Sequence, residues 1–300
     1  MRYQFIEEHS NKYSVAKMCG ILDVSTSGYY EWKRRPLSEE WQARKENREA
    51  LKQDIAIFYH MNYGVYGSPR IHKDLLEIGY LVSESYVGQL MKEMGIAAKT
   101  QRKFVITTDS DHDQAIYPNL LNRQFAVQEL DTVWVADITY IYTKDGWLYL
   151  ASVMDLCSRR IIGYTMSDSM KTELVSSALK KALLLRQPKN GFLHHSDRGS
   201  QYCSKEYIEL LEEREVQISM SRKGDPYDNA CIESFHATIK KELVYQWGQL
   251  TRAQARQEIT RYIDEFYNAR RRHSTLDYLS PISFEKKKLE KAGTQQALIS

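Results

Sequence analysis

VWVADITYIY, residues 133–142, is a run of β-branched and aromatic side chains with one carboxylate in its middle. Two similar runs follow at short intervals, WLYLASVMDLCS (147–158) and RIIGYTM (160–166). Such runs, bounded by short turns, predict three strands in an antiparallel meander. The pattern then changes. A helix is expected from Thr172, with Leu174, Val175, Ala178, Leu179, Ala182 and Leu183 facing inward, followed by a short strand in GFLHH (191–195). Ser204 would cap a further helix, KEYIELLEER; VQISM (216–220) reads as a fifth strand, and a long helix begins at Pro226. Three strands, helix, strand, helix, strand and helix make one α/β fold, a mixed five-stranded sheet with helices on its faces.

Upstream, the signals are helical. Residues 14–35 read as two short helices with Gly20 near the break, and residues 44–60 place Leu51, Ile55 and Phe58 at helical spacing. SPRIHKDLLEIG (68–79) offers Ser68 as cap, Pro69 in the first turn and Gly79 as stop, and SESYVGQLMKEMG (83–95) repeats this with Ser83 and Gly95. Two helices of about ten residues joined by a short turn outline a helix-turn-helix unit, whose second helix enters the DNA major groove. A plain helical bundle fits the same pattern; Arg102 and Lys103 just beyond it lean towards the first reading. The organisation expected is a helical segment at 1–40, a helix-turn-helix-like module at 41–103, a linker at 104–130, the sheet domain at 131–250 and a basic helical extension at 251–300.

The net charge of +3 is mild, but its distribution is uneven. Basic residues outnumber acidic ones in 261–300, while 104–118 carries Asp109, Asp111 and Asp113 with no basic residue. Basic ends around a more acidic middle fit polyanion contacts away from a carboxylate site. Cys19, Cys157, Cys203 and Cys231 lie far apart with no C-x-x-C spacing, which argues against a zinc module or disulfide framework and fits a reducing compartment. No apolar run approaches the roughly 20 residues of a membrane span, so the expected location is cytoplasmic.

Three carboxylates stand out. Strand alternation puts Asp137 on one face with Val133, Val135, Thr139 and Ile141, where a charge is costly unless paired. Asp197 follows the fourth strand in GFLHHSDRGSQY, and Glu233 lies on the last helix at the margin of a stripe of Ile232, Phe235, Ile239 and Leu243. Taken singly, each has an ordinary explanation: a partnered structural aspartate, a turn, a solvated glutamate. Their spacing joins them, with fifty-nine residues between Asp137 and Asp197 and thirty-five between Asp197 and Glu233.

That order and spacing resemble the retroviral-integrase superfamily with its D, D-35-E triad on an RNase H-like fold. WVADITYI, HHSDRGSQY, KGDPYDNACIESFHATIKKE and YNARRRHSTLDYLSP are closer still to the OrfB segment of insertion-sequence transposases of the IS3 family, and the resemblance extends upstream through YGSPRIHKDLLEIG. It implies a DNA transposase that cuts at the ends of its element and joins the freed 3′-OH to another phosphate. Asp137, Asp197 and Glu233 would be catalytic and would hold two Mg²⁺ ions, with Mn²⁺ as a substitute, because in-line phosphoryl transfer uses hard oxygen ligands and no thiolate or imidazole set accompanies them.

Lys240, seven residues after the glutamate, matches a basic position of the family and would contact a phosphate or terminal base; on residue type alone it would read as an exposed helix lysine. Arg198, Gln201, His195, Asn229, Arg70 and the consecutive Arg270, Arg271 and Arg272 are the further expected DNA contacts, with Gly199 permitting the turn after Asp197 and Asp228 bracing the helix start. Asp155 is expected to pair with Arg159 or Arg160. The implied partners are double-stranded DNA, other copies of the chain, and the product of an upstream reading frame that in the family supplies a further helix-turn-helix and a leucine zipper. The rival readings are a catalytically silent DNA-binding regulator or accessory subunit of a full-length transposase, made in the family by translational frameshifting that fuses the upstream frame to this segment, and a plain RNase H-like nuclease. The intact triad disfavours a silent regulator and the upstream helices disfavour a nuclease.

Overall fold

The computed structural model describes residues 1–35, 38–99, 115–223 and 225–299. Helices α1 (Arg2–His9), α2 (Val15–Ile21) and α3 (Thr26–Arg34) close around their own small core of Ile6, Met18, Cys19 and Tyr29. Gly20 lies inside α2, and the break falls after it, where Ser25 caps α3 by accepting a hydrogen bond from Gly28 N at 3.0 Å.

Helix α4 (Glu39–Met61) starts at Ser38 and buries Leu51 and Ile55. It packs on α5 (Ser68–Glu77) and α6 (Glu84–Glu93). Ser83 caps α6 as expected, through Tyr86 N at 3.2 Å. Ser68 does not cap α5: Gly67 occupies that position and Ser68 is the first helical residue, ahead of Pro69. Gly79 and Gly95 follow the two helices with φ of +95° and +68°, the left-handed conformation that ends a helix without a Cβ penalty.

The sheet comprises β1 (Val133–Thr143), β2 (Gly146–Asp155), β3 (Ile161–Ser167), β4 (Leu193–Ser196) and β5 (Gln217–Met220), in the order β3-β2-β1-β4-β5. The meander β1-β2-β3 is antiparallel, whereas β4 lies parallel to β1 and β5 parallel to β4. Helices α7 (Thr172–Arg186) and α8 (Lys205–Glu212) supply those crossovers and cover the face carrying Trp134, Ala136 and Val153. At Gly163 the approach of β3 to α7 is so close that a Cβ would stand 2.3 Å from the Ala178 carbonyl oxygen.

The opposite face, with Val135, Ile141, Leu148 and Leu150, is covered by α9 (Ala230–Glu242), which follows a 3-10 turn at Pro226–Asn229. Ile232, Phe235, Ile239 and Leu243 form its buried stripe as the spacing predicts. Behind it come α10 (Arg252–Arg261), a π-helical turn at Tyr262–Tyr267 that buries Tyr262, Ile263, Phe266 and Tyr267, and α11 (Pro281–Ile299). This core is continuous with Leu51, Ile55, Ile71, Leu75 and Leu90 of the upstream helices, so α4, α5 and α6 are packed on the sheet domain.

Part of the segment read as a linker is also packed. Leu121 is buried in the same core, and Asn119 and Arg123 reach the Asp228 carboxylate. Asp155 pairs with neither arginine expected for it. Its carboxylate accepts from Ser158 N at 2.7 Å, Ser158 Oγ at 2.8 Å and Asp131 N at 2.7 Å, while Arg160 turns to Glu285 of α11. Arg102, Lys103, Asp109, Asp111 and Asp113 lie outside the described residues.

Candidate active site

The parallel register between β1 and β4 pairs Val133 with Leu193 and Val135 with His195. The same offset carries Asp137 level with Asp197, one residue beyond the end of β4. Because β4 stops there while β1 runs on to Thr143, the β4-facing edge of β1 is left open beside both carboxylates. Helix α9 crosses this end of the sheet, with Glu233 in its first turn.

Each carboxylate is held by its own loop or neighbour. Asp137 Oδ1 accepts from the next backbone amide, Ile138 N, at 2.8 Å, and Oδ2 stands 3.2 Å from His236 Nδ1. Asp197 Oδ1 accepts from Gly199 N at 2.9 Å. No positive φ calls for a glycine there, but a Cβ would lie 3.0 Å from Gln201 Oε1 and 3.1 Å from Asp197 Oδ1, so a larger residue would have to displace the carboxylate by a few tenths of an ångström. Glu233 is solvent-exposed as a residue, yet its carboxyl is pushed up to about 7, by desolvation at the cleft and then by the Asp137 charge. The N-terminal end of α9 favours an ionised acid and so opposes that shift. Lys240, half-buried, has its Nζ 5.5 Å from the Tyr140 ring centre; desolvation lowers its pKa and Asp137 counteracts.

The start of α9 is braced as expected. Asp228 is fully buried and accepts from Arg222 at 2.7 Å, Arg123 at 2.8 Å and Asn119 at 2.8 Å, which holds it far below the usual carboxylate range. Asn229 Nδ2 donates to the Ala136 carbonyl at 3.1 Å, tying the first residues of α9 to the strand position just before Asp137.

The site's donors are hard carboxylate oxygens, with one imidazole in contact with one of them. Among the described residues no three His, Cys, Asp or Glu side chains already close on a common point. The donor chemistry nonetheless fits a hard divalent cation, and Glu233, raised by desolvation and then by the Asp137 charge, is an acid that a nearby cation would favour in its ionised form.

Residues 128–226 and 214–281 match models of the integrase core domain, and residues 46–104 match an HTH-like domain. The uncharacterized 31 kDa protein of insertion element IS600 from Shigella sonnei is 42% identical over 90% of this chain and 98% of its own length. Transposase InsF of insertion sequence IS3A from Escherichia coli (strain K12) is 37% identical over 96% of this chain and all of its own (100%). The chain belongs to the IS3 family of insertion-sequence transposases. The transposase for insertion sequence element IS904 from Lactococcus lactis is 43% identical over 80% of this chain and 94% of its own. Among solved structures, the magnesium-bound catalytic core domain of HTLV-2 integrase aligns with 51% of this transposase and 95% of its own chain at 16% identity and a TM-score of 0.40.

The transposase brings Asp137, Asp197, Glu233 and Lys240 to one end of the sheet, but it does not leave every expected DNA contact at the surface. His195 is fully buried, its ring between Ser219 Oγ at 2.8 Å and Ser221 Oγ at 3.1 Å, and burial depresses its pKa to about 4. Asn229 is buried in the brace just described. Arg271 is buried in a two-pronged pair with Glu242, at 2.6 and 2.8 Å, and Tyr262 completes the cage at 2.6 Å. Arg272 turns to α5, reaching Asp74 and Glu77 at 2.6 Å each. Each of these four side chains is thus engaged by a protein partner that the sequence does not reveal. Arg270 is exposed; Arg70 is half-buried, 3.9 Å from Glu242. Arg198 Nε donates to the Ser221 carbonyl at 2.6 Å and Gln201 Nε2 to the Met170 carbonyl at 3.0 Å, at the rim of the Asp197 loop.

His236 is the site residue that sequence reasoning missed. It lies three positions after Glu233, one turn along the same helix, and that spacing was the available signal. Its Nε2 stands 3.4 Å from Ser152 Oγ on β2.

Proposed function

We propose that this chain catalyses polynucleotidyl transfer on DNA, cutting a strand at the end of its insertion sequence and joining the freed 3′-OH to a second phosphodiester. The observation that carries the reading is the register that brings Asp137 level with Asp197, with Glu233 close enough to Asp137 to feel its charge. Asp137, Asp197 and Glu233 would hold two Mg²⁺ ions, with Mn²⁺ as a substitute. Such a pair, when bound, stabilises both the attacking and the leaving oxygen of an in-line displacement.

The protein's own part is positional. His236 and Ile138 N fix the Asp137 carboxylate, and Gly199 N fixes that of Asp197. Lys240 offers a cation beside the open edge of β1 for a phosphate next to the scissile bond. Arg198, Gln201 and Arg270 line the DNA path, and the HTH-like α4–α6 module binds duplex DNA. The chain acts as copies assembled on DNA at the nucleoid, with an upstream-frame partner or fusion supplying further end recognition. Among the described residues no helix is long and apolar enough to cross a membrane.

The test is Mg²⁺-dependent cleavage and joining of labelled duplexes carrying candidate element ends, comparing the chain with Glu233→Gln. Joined product from the wild type alone supports the reading. Absence of product from both, even with the frameshifted full-length protein added, would leave a silent DNA-binding regulator.

A further inference from the structure

Towards its tip the hairpin β1-β2 is apolar on both faces, and there only one is covered, since α7 and α8 cover the other face nearer Trp134, Ala136 and Val153. Ile141, Leu148 and Leu150 on the covered face are 0–1% exposed. On the other, the register sets Tyr140 opposite Tyr149 and Tyr142 opposite Trp147, so four rings share one face. They touch edge to face, with centroids 5.1 Å apart for Tyr142 and Trp147, 6.0 Å for Tyr140 and Trp147, and 6.2 Å for Tyr140 and Tyr149. Tyr149 still rests on the core beneath α7 and α8, but Tyr142 is 68% and Trp147 43% exposed. A contiguous exposed aromatic surface of this kind marks a binding surface more often than an accident of folding.

What it binds is indicated by its surroundings. Tyr140 lies three residues beyond Asp137 on the same strand, along the edge that β4 leaves open, and its hydroxyl is raised by burial and then by the charges of both Asp137 and Asp197. Cations stand at both ends of the row of rings. Lys240 lies over Tyr140. At the hairpin tip, Arg252 Nε donates to the Trp147 carbonyl at 3.2 Å, and Lys144 is exposed. Asp145 is already engaged by Arg252 N at 2.8 Å. Rings between cations repeat the alternation of base and phosphate in a single strand, the combination by which proteins hold unpaired nucleic acid without reading its sequence. A paired duplex does not offer its base faces to such rings.

We propose that Tyr140, Tyr142, Trp147 and Tyr149 form a stacking platform for unpaired nucleotides of the DNA end held at the carboxylate site. The proposal rests on the reading of the chain as a DNA transposase. Opening the terminal pairs would let the strand carrying the reacting phosphodiester lie in the cleft while its displaced bases find new stacking partners on the hairpin.

The test is equilibrium binding of the full chain, by fluorescence anisotropy at one salt concentration, to two DNAs of the same sequence, one fully paired and one with several unpaired nucleotides at one end. The wild type should prefer the unpaired end. Tyr142→Ala and Trp147→Ala should each weaken binding to that DNA roughly tenfold and leave the paired duplex unchanged, with Trp147→Phe retaining most of the preference. Both side chains are largely exposed, and an unchanged melting temperature would show that the variants fold. No preference in the wild type, or an equal loss on both DNAs, would overturn the platform while leaving the transposase reading intact. A change in self-association with the DNA preference unaltered would assign the face to a second copy of the chain instead. Failure of the wild type to bind either DNA would remove both readings.

Discussion

His236 Nδ1 stands 3.2 Å from Asp137 Oδ2, so the helix that carries Glu233 also grips the carboxylate in the central strand. The contact makes α9 a positioning element for two of the three acids. It also means that a change in α9 reaches β1 directly, through one buried imidazole.

For the acids themselves, Asp137→Asn, Asp197→Asn and Glu233→Gln are each expected to lower cleavage and joining by about a thousandfold or more, since a lost ligand removes several kcal/mol of transition-state stabilisation. DNA binding in gel-shift assays should persist in all three. Wild-type rates in any one would remove that residue from the site.

Replacing His236 by Phe keeps the volume near Ser152 and removes the Asp137 tether. The expected result is roughly a tenfold loss in cleavage rate together with a higher Mg²⁺ requirement, whereas His236→Gln recovers part of both. A rate loss at unchanged metal dependence would assign His236 to packing alone.

The Glu233 carboxyl, raised from 4.5 to about 7, makes the folded chain bind more protons than the unfolded one between those values. Metal-free stability should therefore fall as pH rises through that window and level off above it. The slope should be shallow because the side chain is largely exposed. Urea midpoints at pH 5 and pH 8 measure it, and Glu233→Gln should flatten it. Calorimetric Mg²⁺ affinity should rise over the same interval, since the ligand must lose its proton.

The buried pair of Arg271 and Glu242 gives a stability prediction. Arg271→Met leaves Glu242 uncompensated apart from Tyr262 and the distant Arg70, and should cost about 3–5 kcal/mol in chemical denaturation. Glu242→Gln combined with Arg271→Met should recover much of that loss. If the single variant is as stable as the wild type, the pair does not hold the end of α9.

Gly163→Ala places a methyl 2.3 Å from the Ala178 carbonyl oxygen and 2.7 Å from Ala182 N, backbone atoms that cannot rotate aside. The strand must separate from α7, with an expected cost of about 1–3 kcal/mol or more. A melting temperature within a degree of the wild type would show that the interface has slack.

The strands were legible because their side-chain chemistry is local. VWVADITYIY carries its two-residue alternation openly, and the structure divides it between two cores, Val135 and Ile141 on one side and Trp134 and Ala136 on the other. Asp137 and Asp197 could be singled out because each interrupts or ends an apolar run. Two of the three arginines of YNARRRH, Arg271 and Arg272, were expected at the surface and instead have protein partners, for the opposite reason. Their partners are remote in the chain: Glu242 lies 29 residues from Arg271, and Asp74 lies 198 from Arg272. Nothing in a basic string says which of its members will face inward. His236 was hidden by the company it keeps, between Phe235 and Ile239 on a buried stripe, where an imidazole reads as filler. Ser68 looked like a cap because serine favours that position, but the preceding Gly67 takes it.

Arg271 and Arg272 are neighbours in the chain, and they pull in different directions: one fastens the far end of α9, the other fastens α5. Two successive peptide units thus serve as a common anchor for α5 of the HTH-like module and for the helix that carries Glu233. On the proposed function, in which the HTH-like module recognises the element end, the interval between the recognised sequence and the bond to be cut becomes a dimension of the protein, set as in a fixed-length gauge. Element ends whose spacing departs from that gauge must bend or untwist to be processed, so tolerance to spacing changes would follow the stiffness of the DNA.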